Sequence, residues 1–288
     1  MAGKMASRKK KEKAFNVLAF FIVLILAALV LLPIWWIFRS SLMSTAALNE
    51  YPPSFIPHEW LWSNYSKALE TFEYWTYFKN TFTIIIPAVT FGTITAIFCG
   101  YAFARLRFRG KKLIFNICVG TILLPGMVTL IPLYIFWTKG MGLGDTYWPL
   151  ILPFLTGGGF FNIFLIRQFL MTIPKELDEA ASIDGAGKWK QFFQITVPLI
   201  TPVIFYNFVT QLCHKFQEFN GPFIVTQGGP LRSTTLVSLL VYNEAFKRNE
   251  MGLASAIAWL LFLVIMTFTA VAFISQKYWV YYADEDGR

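Results

Sequence analysis

The sequence predicts an all-α membrane protein that crosses the bilayer six times and keeps both termini in the cytoplasm. Three observations carry that prediction. Apolar residues fill 56% of the 288 positions and charged residues only 14%, whereas soluble domains carry about 25% charge. Six apolar stretches approach or exceed the roughly 20 residues that span a bilayer. Basic residues gather in alternate loops, which is the bias that sets orientation during insertion.

Taken in order, residues 1–14 form a basic segment with Lys4, Arg8, Lys9, Lys10, Lys11 and Lys13, expected as a disordered cytoplasmic tail. Helix one is expected over Asn16–Phe38, with Trp35 and Trp36 marking its outer rim. It is too long for a cleavable signal and lacks a small-residue cleavage site. Residues 39–80 read as an external, aromatic-rich segment, and Tyr51-Pro52-Pro53 and Ile56-Pro57 argue against a regular core there. Helix two is expected over Thr81–Ala104, followed by Arg105, Arg107, Arg109, Lys111 and Lys112 inside. Helix three, Leu113–Trp137, contains Pro125-Gly126 and Pro132 and is expected to kink. The Gly140-x-Gly142-x-Gly144 loop follows a membrane helix rather than a strand, so it is no dinucleotide fingerprint. Helix four, Trp148–Met171, carries Gly157-Gly158-Gly159, read as a site of close helix packing with a substrate gate as the alternative. Helix five, Val197–Val225, returns outward, and residues 226–252 form an external loop with Gly228-Gly229-Pro230. Helix six, Ala254–Ser275, ends at an inner belt of Tyr278, Trp279, Tyr281 and Tyr282 before an acidic tail. This divides the chain into a tail (1–14), a first helix with its external segment (15–80), a core (81–276) and a second tail (277–288).

The net charge of +9 therefore reports topology rather than nucleic-acid binding. Loops assigned inside hold the two basic clusters with Arg167, Lys175, Lys188, Lys190, Lys277 and Arg288. Those assigned outside hold only Arg39, Lys67, Lys79, Lys139, Arg232, Lys247 and Arg248, over much more chain. Catalytic chemistry is missing from the pattern. Cys99, Cys118 and Cys213 each sit inside an apolar run and read as buried thiols, not a disulfide framework or metal site. The two histidines, His58 and His214, form no metal or triad arrangement, and Gly187-Lys188 and Gly110-Lys111 lack the glycine spacing of a phosphate loop. No enzyme activity and no bound cofactor or metal are expected of this chain.

The most informative stretch is a polar island, residues 172–196, between helices four and five. Pro174 suits a first helical turn, and Glu176, Asp178 and Glu179 place negative charge at the positive end of the helix dipole. Ala180 and Ala181 favour helix and offer a flat surface for close approach. Asp184-Gly185 is a turn pair, and Trp189, Phe192 and Phe193 form an apolar patch beyond it. The residues dictate a helix, a tight turn and a second short helix.

This island resembles the Glu-Ala-Ala loop of ABC importer permeases. Glu179, Ala180, Ala181, Gly185, Ile195 and Pro198 fall on that pattern, and Asp184-Gly185-Ala186 with Pro198-Leu199-Ile200-Thr201-Pro202 matches its carbohydrate-importer form. Tyr101-Ala102-Phe103-Ala104-Arg105-Leu106, Thr226-Gln227-Gly228-Gly229-Pro230 and Tyr242-Asn243-Glu244-Ala245-Phe246 are similar to further segments of sugar permeases. The resemblance implies the type I ABC importer permease fold and places the protein in a bacterial cytoplasmic membrane. It implies a heterodimer with a second permease, two cytoplasmic ATPase subunits that bind the ATP and magnesium, and an external solute-binding protein delivering a carbohydrate. Membrane lipid is the remaining partner. The short N-terminus resembles one permease of such pairs and the Gly-Gly-Pro segment the other, leaving open which half this is.

Carried over residue by residue, the resemblance assigns ATPase coupling to Glu179, Ala180, Ala181, Asp184, Gly185, Ala186, Trp189, Phe192 and Phe193. Glu179 and Asp184 are expected to hold the elbow's shape. Independently of it, Asn207, Gln211, His214, Lys215 and Glu218 recur at helical spacing on helix five. Charge inside a bilayer costs roughly 2.5–3.5 kcal/mol on insertion scales, so such residues face a cavity or a partner. The stripe either lines the sugar path or pairs against the second permease. A secondary transporter or channel working without an ATPase is the alternative from another class, but it needs a deep ion-coupling site, and Glu218 is the one acid in the core helices.

Overall fold

The fold is given by a computed structural model that describes residues 2–70, 74–144, 146–229 and 232–282. Pro230, Arg288 and the acidic tail after Ala283 lie outside the described residues. Most of the described residues are helical, and none of them forms a strand. In chain order the helices are α1 (Ala2–Ser41), α2 (Thr45–Leu48), α3 (Ser63–Glu70), α4 (Tyr74–Arg105), α5 (Lys111–Ile122), α6 (Gly126–Ile135) and α7 (Trp148–Ile151). There follow α8 (Phe160–Thr172), α9 (Glu176–Ile183), α10 (Lys188–Gln191), α11 (Val197–Leu199), α12 (Thr201–Phe216), α13 (Val237–Tyr242) and α14 (Met251–Trp279). Wider π turns follow α6, α10, α12 and α13.

Four crossings are long apolar stretches, Phe15–Ser41, Tyr74–Arg105, Trp148–Thr172 and Met251–Trp279. Two more are bent pairs: Lys111–Ile122 with Gly126–Gly140 at 106°, and Lys188–Leu199 with Thr201–Thr226 at 69°. With each bent pair counted as one span the crossings number six, and this count and the all-α class agree with the sequence. Several boundaries do not. The backbone is helical from Ala2, so the basic segment begins α1 instead of forming a disordered tail. Helix two starts at Tyr74 rather than Thr81, because Tyr74, Phe78 and Phe82 stack ring on ring along one helix face, with centroids 6.0 and 4.6 Å apart. Helix three is broken through more than a right angle at Leu123–Pro125, far beyond a kink.

The chain divides into two compact units, 1–72 with 241–259 and 73–240 with 260–288. In the first, the segment read as coreless builds a small core. Leu42 and Met43 are buried, the Asn64 amide donates to the carbonyls of Ser41 (2.9 Å) and Met43 (3.2 Å), and Ser41 Oγ meets Tyr65 Oη at 2.8 Å. Gly252 is required there, since a Cβ would collide with the Met43 carbonyl. The same unit buries Glu244. One carboxylate oxygen pairs with Arg248 Nη1 at 3.0 Å and the other has no hydrogen-bond partner among the described residues.

In the second unit α4 packs along α8 and α12. Ala96 of α4, Ile163, Ile166 and Leu170 of α8, and Ile200, Val203 and Ile204 at the start of α12 form its main cluster. Gly100 lets α8 approach α4, because a Cβ there would fall 2.6 Å from Ile166 Cγ2. The glycine triplet both breaks helix four and packs closely. Gly157, Gly158 and Gly159 have φ of +93°, +66° and +112°, so α7 and a short 3₁₀ stretch (Leu152–Thr156) end there and α8 begins anew. A Cβ on Gly158 would strike the Gln211 side chain.

Two outcomes follow. Gly158→Ala combines left-handed strain of about 1–2 kcal/mol with that collision, so it should abolish the monodisperse detergent-exclusion peak. Gly120→Ala, on an open helix face, should leave it unchanged. Burial raises the Glu244 carboxyl above its ordinary 4.5, with Glu250 adding to the rise and Arg248 opposing it. The folded state then holds the proton more tightly than the unfolded state. Stability is fully present below the unfolded value and falls as pH rises through the folded one. Thermal unfolding midpoints should drop over that window, and Glu244→Gln should flatten the drop.

Candidate functional site

The polar island forms an elbow whose turn follows from its sequence. α9 ends at Ile183, and Gly185 takes φ +76°. Its amide donates to the Ser182 carbonyl at 3.2 Å and the Ala186 amide donates back to the Ala181 carbonyl at 2.9 Å. That pair of bonds is the Schellman ending, which needs a left-handed residue between them and so favours glycine. α10 then starts at Lys188 and runs through a π turn, Phe192–Thr196, into α11.

Side chains outside the expected set lock this turn. Gln191 is buried, and its amide donates to the Ala186 carbonyl at 2.6 Å and to Ser182 Oγ at 2.9 Å, bridging the two arms. Ser182 in turn donates to the Asp178 carbonyl at 2.8 Å. Asp178 pairs with Arg105 Nε at 3.2 Å, and Arg105 Nη2 donates to the Ile173 carbonyl at 3.0 Å, so the end of α4 grips the entry to α9. Glu179 and Asp184, expected to hold the elbow, are exposed and make no side-chain hydrogen bond or ion pair among the described residues. Gln191 and Arg105 take that part. The sequence signal for Gln191 was an amide among aromatic neighbours, one turn past Gly187.

The expected docking residues separate by exposure. Ala180 is exposed, whereas Ala181 is buried and packs inward. Ala186 is half-buried. Phe192 is buried, stacked on Phe98 (5.3 Å, 18°) and edge-on to Tyr101 (4.8 Å) of α4. Trp189 is 71% exposed and Phe193 55%, stacked on each other at 6.0 Å, and Ile183 is 86% exposed. Ile183, Trp189 and Phe193, with Leu177 also exposed, leave the elbow a bare apolar surface.

The helix-five stripe also divides. Asn207 is fully buried and donates to the Val203 carbonyl at 3.1 Å. Gln211 is buried and donates to Thr93 Oγ1 of α4 at 3.3 Å. His214 is exposed. Lys215 and Glu218 pair at 3.0 Å, and the Lys215 ammonium also sits over the Phe154 ring, 3.0 Å from its centroid. The second Glu218 oxygen accepts the Gly221 amide at 3.1 Å. This pair lines a cavity of about 570 Å³ together with Tyr134, Trp137, Phe154 and Asn220. So the structure brings together two of the five stripe residues at an opening and turns Asn207 and Gln211 into packing amides. Among the described residues no group of His, Cys, Asp and Glu could hold a metal.

Residues 88–280 match the family described as the binding-protein-dependent transport system inner membrane component. The chain belongs to this family. It is a multi-pass membrane permease component. Among relatives, it is 29% identical over 202 residues to the diacetylchitobiose uptake system permease protein NgcG of Streptomyces coelicolor, covering 69% of this chain and 66% of that protein. It is 38% identical over 141 residues to the probable ABC transporter permease protein YesP of Bacillus subtilis, covering 48% and 45%. The chain thus spans less than two thirds of the length of either relative. A bacterial ABC transporter that imports the acidic polysaccharide alginate has the same fold, with a TM-score of 0.71 over 94% of this chain and 98% of that one at 21% identity.

The exposure pattern predicts opposite behaviour for adjacent aromatics. Phe192→Ala should lower thermal stability, with buried Phe→Ala changes costing about 3–5 kcal/mol. Trp189→Ala should leave the melting temperature in detergent within a degree or two. Equal losses would contradict the assignment of Phe192 to packing and Trp189 to the surface.

Proposed function

We propose that this chain is a permease subunit of an ATP-driven ABC importer for a carbohydrate or oligosaccharide, forming half of the translocation pathway in a bacterial cytoplasmic membrane. One observation carries the reading: a rigid elbow, braced from within by Gln191 and Arg105, that leaves Ile183, Trp189 and Phe193 bare. Apolar side chains held out on a rigid turn fit a groove on another protein, and this chain has no nucleotide-binding motif of its own. Two ATPase subunits would seat the elbow and bind ATP and magnesium. A second permease would complete the pathway, and an external solute-binding protein would deliver substrate. ATPase closure would move the elbow and, through Arg105 and Phe192, the α4 bundle. The chain itself would be no enzyme. The named function of NgcG, uptake of diacetylchitobiose, supports a saccharide as cargo.

Within this reading, Ala180, Gly185 and Trp189 form the docking face. Glu179 and Asp184 offer it exposed charge, Phe193 adds a second ring, and Ala181, Ala186 and Phe192 support it from behind. An ATPase-independent transporter fits less well, because both oxygens of Glu218, the one acid in the core helices, already have partners.

Gly185→Asp tests the assignment. Nothing lies within 4 Å of a Cβ there, so the change adds left-handed strain and a carboxylate at the turn without an internal collision. The variant should insert and pair with the second permease. It should retain at least tenfold less ATPase on affinity purification and lose ATP-driven saccharide uptake. Undiminished ATPase recovery and uptake would remove the elbow from the coupling mechanism.

A further inference from the structure

We infer that the cavity beside Lys215 is a saccharide subsite selective for neutral sugars over uronates. The inference rests on the carbohydrate-importer reading and specifies the cargo. The cavity has a volume of about 570 Å³, within the range of roughly 300–1,000 Å³ typical of small-molecule sites. Its wall presents aromatic rings from Tyr134, Trp137 and Phe154, whose apolar faces suit the C–H faces of pyranose rings. Polar groups are few: hydroxyl and amide side chains, including Asn220, and the Lys215–Glu218 pair.

Charge decides the class of ligand. Among the described residues, Lys215 and Glu218 are the only charged ones lining the cavity, so the formal charge of that lining is zero. Both charges are already engaged with each other. The ammonium is held by Glu218 Oε2 at 3.0 Å and by the Phe154 ring at 3.0 Å. The carboxylate spends one oxygen on Lys215 and the other on the Gly221 amide at 3.1 Å. The Lys215 and Glu218 side chains are 13% and 27% exposed. A uronate entering here would be desolvated against a lining with no net positive charge, and a carboxylate reaching the remaining Lys215 N–H groups would stand beside the Glu218 carboxylate, whose like charge repels it. A neutral saccharide needs only hydroxyl hydrogen bonds to the pair's outward faces and stacking on the rings. The cavity therefore disfavours acid sugars by offering them no net counter-charge.

Trp137 serves as an internal reporter. In the importer purified with its second permease and ATPases, tryptophan emission is titrated with cellotriose, maltotriose and trigalacturonate, and the Trp137→Phe complex supplies the background. At least one neutral trisaccharide should shift the Trp137-dependent signal at a concentration at least tenfold below that for trigalacturonate. Glu218→Gln keeps an acceptor for the Gly221 amide but frees the Lys215 charge, so it should shrink or invert that preference. Equal or tighter trigalacturonate binding by the unaltered complex would overturn the inference, as would an unchanged preference in Glu218→Gln or a Trp137 signal indifferent to all three sugars. ATP-dependent saccharide uptake measured on the same complex separates the two levels. Uptake with the wrong charge preference sinks the subsite alone, and absence of any saccharide uptake sinks the importer reading too.

Discussion

A backbone that bends inside hydrocarbon frees N–H and C=O groups that no water can reach, and each must find a partner within the protein. The second unit of this chain is arranged around that constraint. Helix four breaks at Gly157–Gly159, and the freed carbonyls of Gly157 and Gly158 are taken by the Asn162 amide at 3.2 and 3.0 Å. Gln211 lies directly against Gly158 and Gly92 and bonds Thr93 across to α4. Gly92 and Gly158 are small because Gln211 must pass between them, and Gln211 is polar because broken helix surrounds it. Substituting an apolar residue of similar size would fill the space and lose the amide's bond to Thr93. The break, the amides and the glycines form one solution and stand or fall together.

The elbow obeys the same logic at a different depth. There water is within reach, so rigidity rather than satisfaction is the reason for its internal bonds. Gln191 ties the second arm to the turn, Arg105 ties the first arm to α4, and Phe192 stacks back on the same helix. α4 carries the cluster that holds α8 and the start of α12. A displacement applied at Trp189 thus meets a continuous set of packed contacts leading into the membrane helices. This is a physical connection, and coupling along it is what the elbow substitutions measure. A looser elbow would absorb the displacement in its own turn.

How much of this was legible depended on whether a residue's partner was local. The helix–turn–helix at 176–191 could be read because each feature is set within a few residues: acids at a helix start, alanines, then Asp-Gly. The six apolar stretches were equally local. What failed was anything fixed across the fold. Glu179 and Asp184 looked like the polar braces because they border the turn, but the brace is Gln191, whose partners lie five and nine residues back. Phe192 and Phe193 are indistinguishable in sequence, and only the position of α4 buries one and exposes the other. The aromatic run from Tyr74 fell within the segment read as external, yet it continues α4, with its rings packed at helical spacing. The break at Pro125 was visible as proline and glycine, but its angle was not. The bend at Ile200 gave less warning still, since Pro198 and Pro202 each also suit an ordinary helix start.

Helix five shows why composition alone could not assign its polar residues. Asn207, Gln211 and Lys215 follow one another at four-residue spacing, so on an ideal helix they drift slowly around one face. Over two turns that drift carries the row from the packed side against α4 to the open side by Phe154. Asn207 and Gln211 fall on the buried side, where each amide donates to a near neighbour, the Val203 carbonyl and Thr93 Oγ1, without bringing a charge. Lys215 falls where α6, the 3₁₀ stretch and the turn after α12 draw apart, and a charge survives there only because Glu218, one turn on, neutralises it. The lysine and the glutamate are therefore a single neutral group spread over two residues. It is this neutrality, set by a three-residue spacing on one helix, that gives the cavity its chemistry.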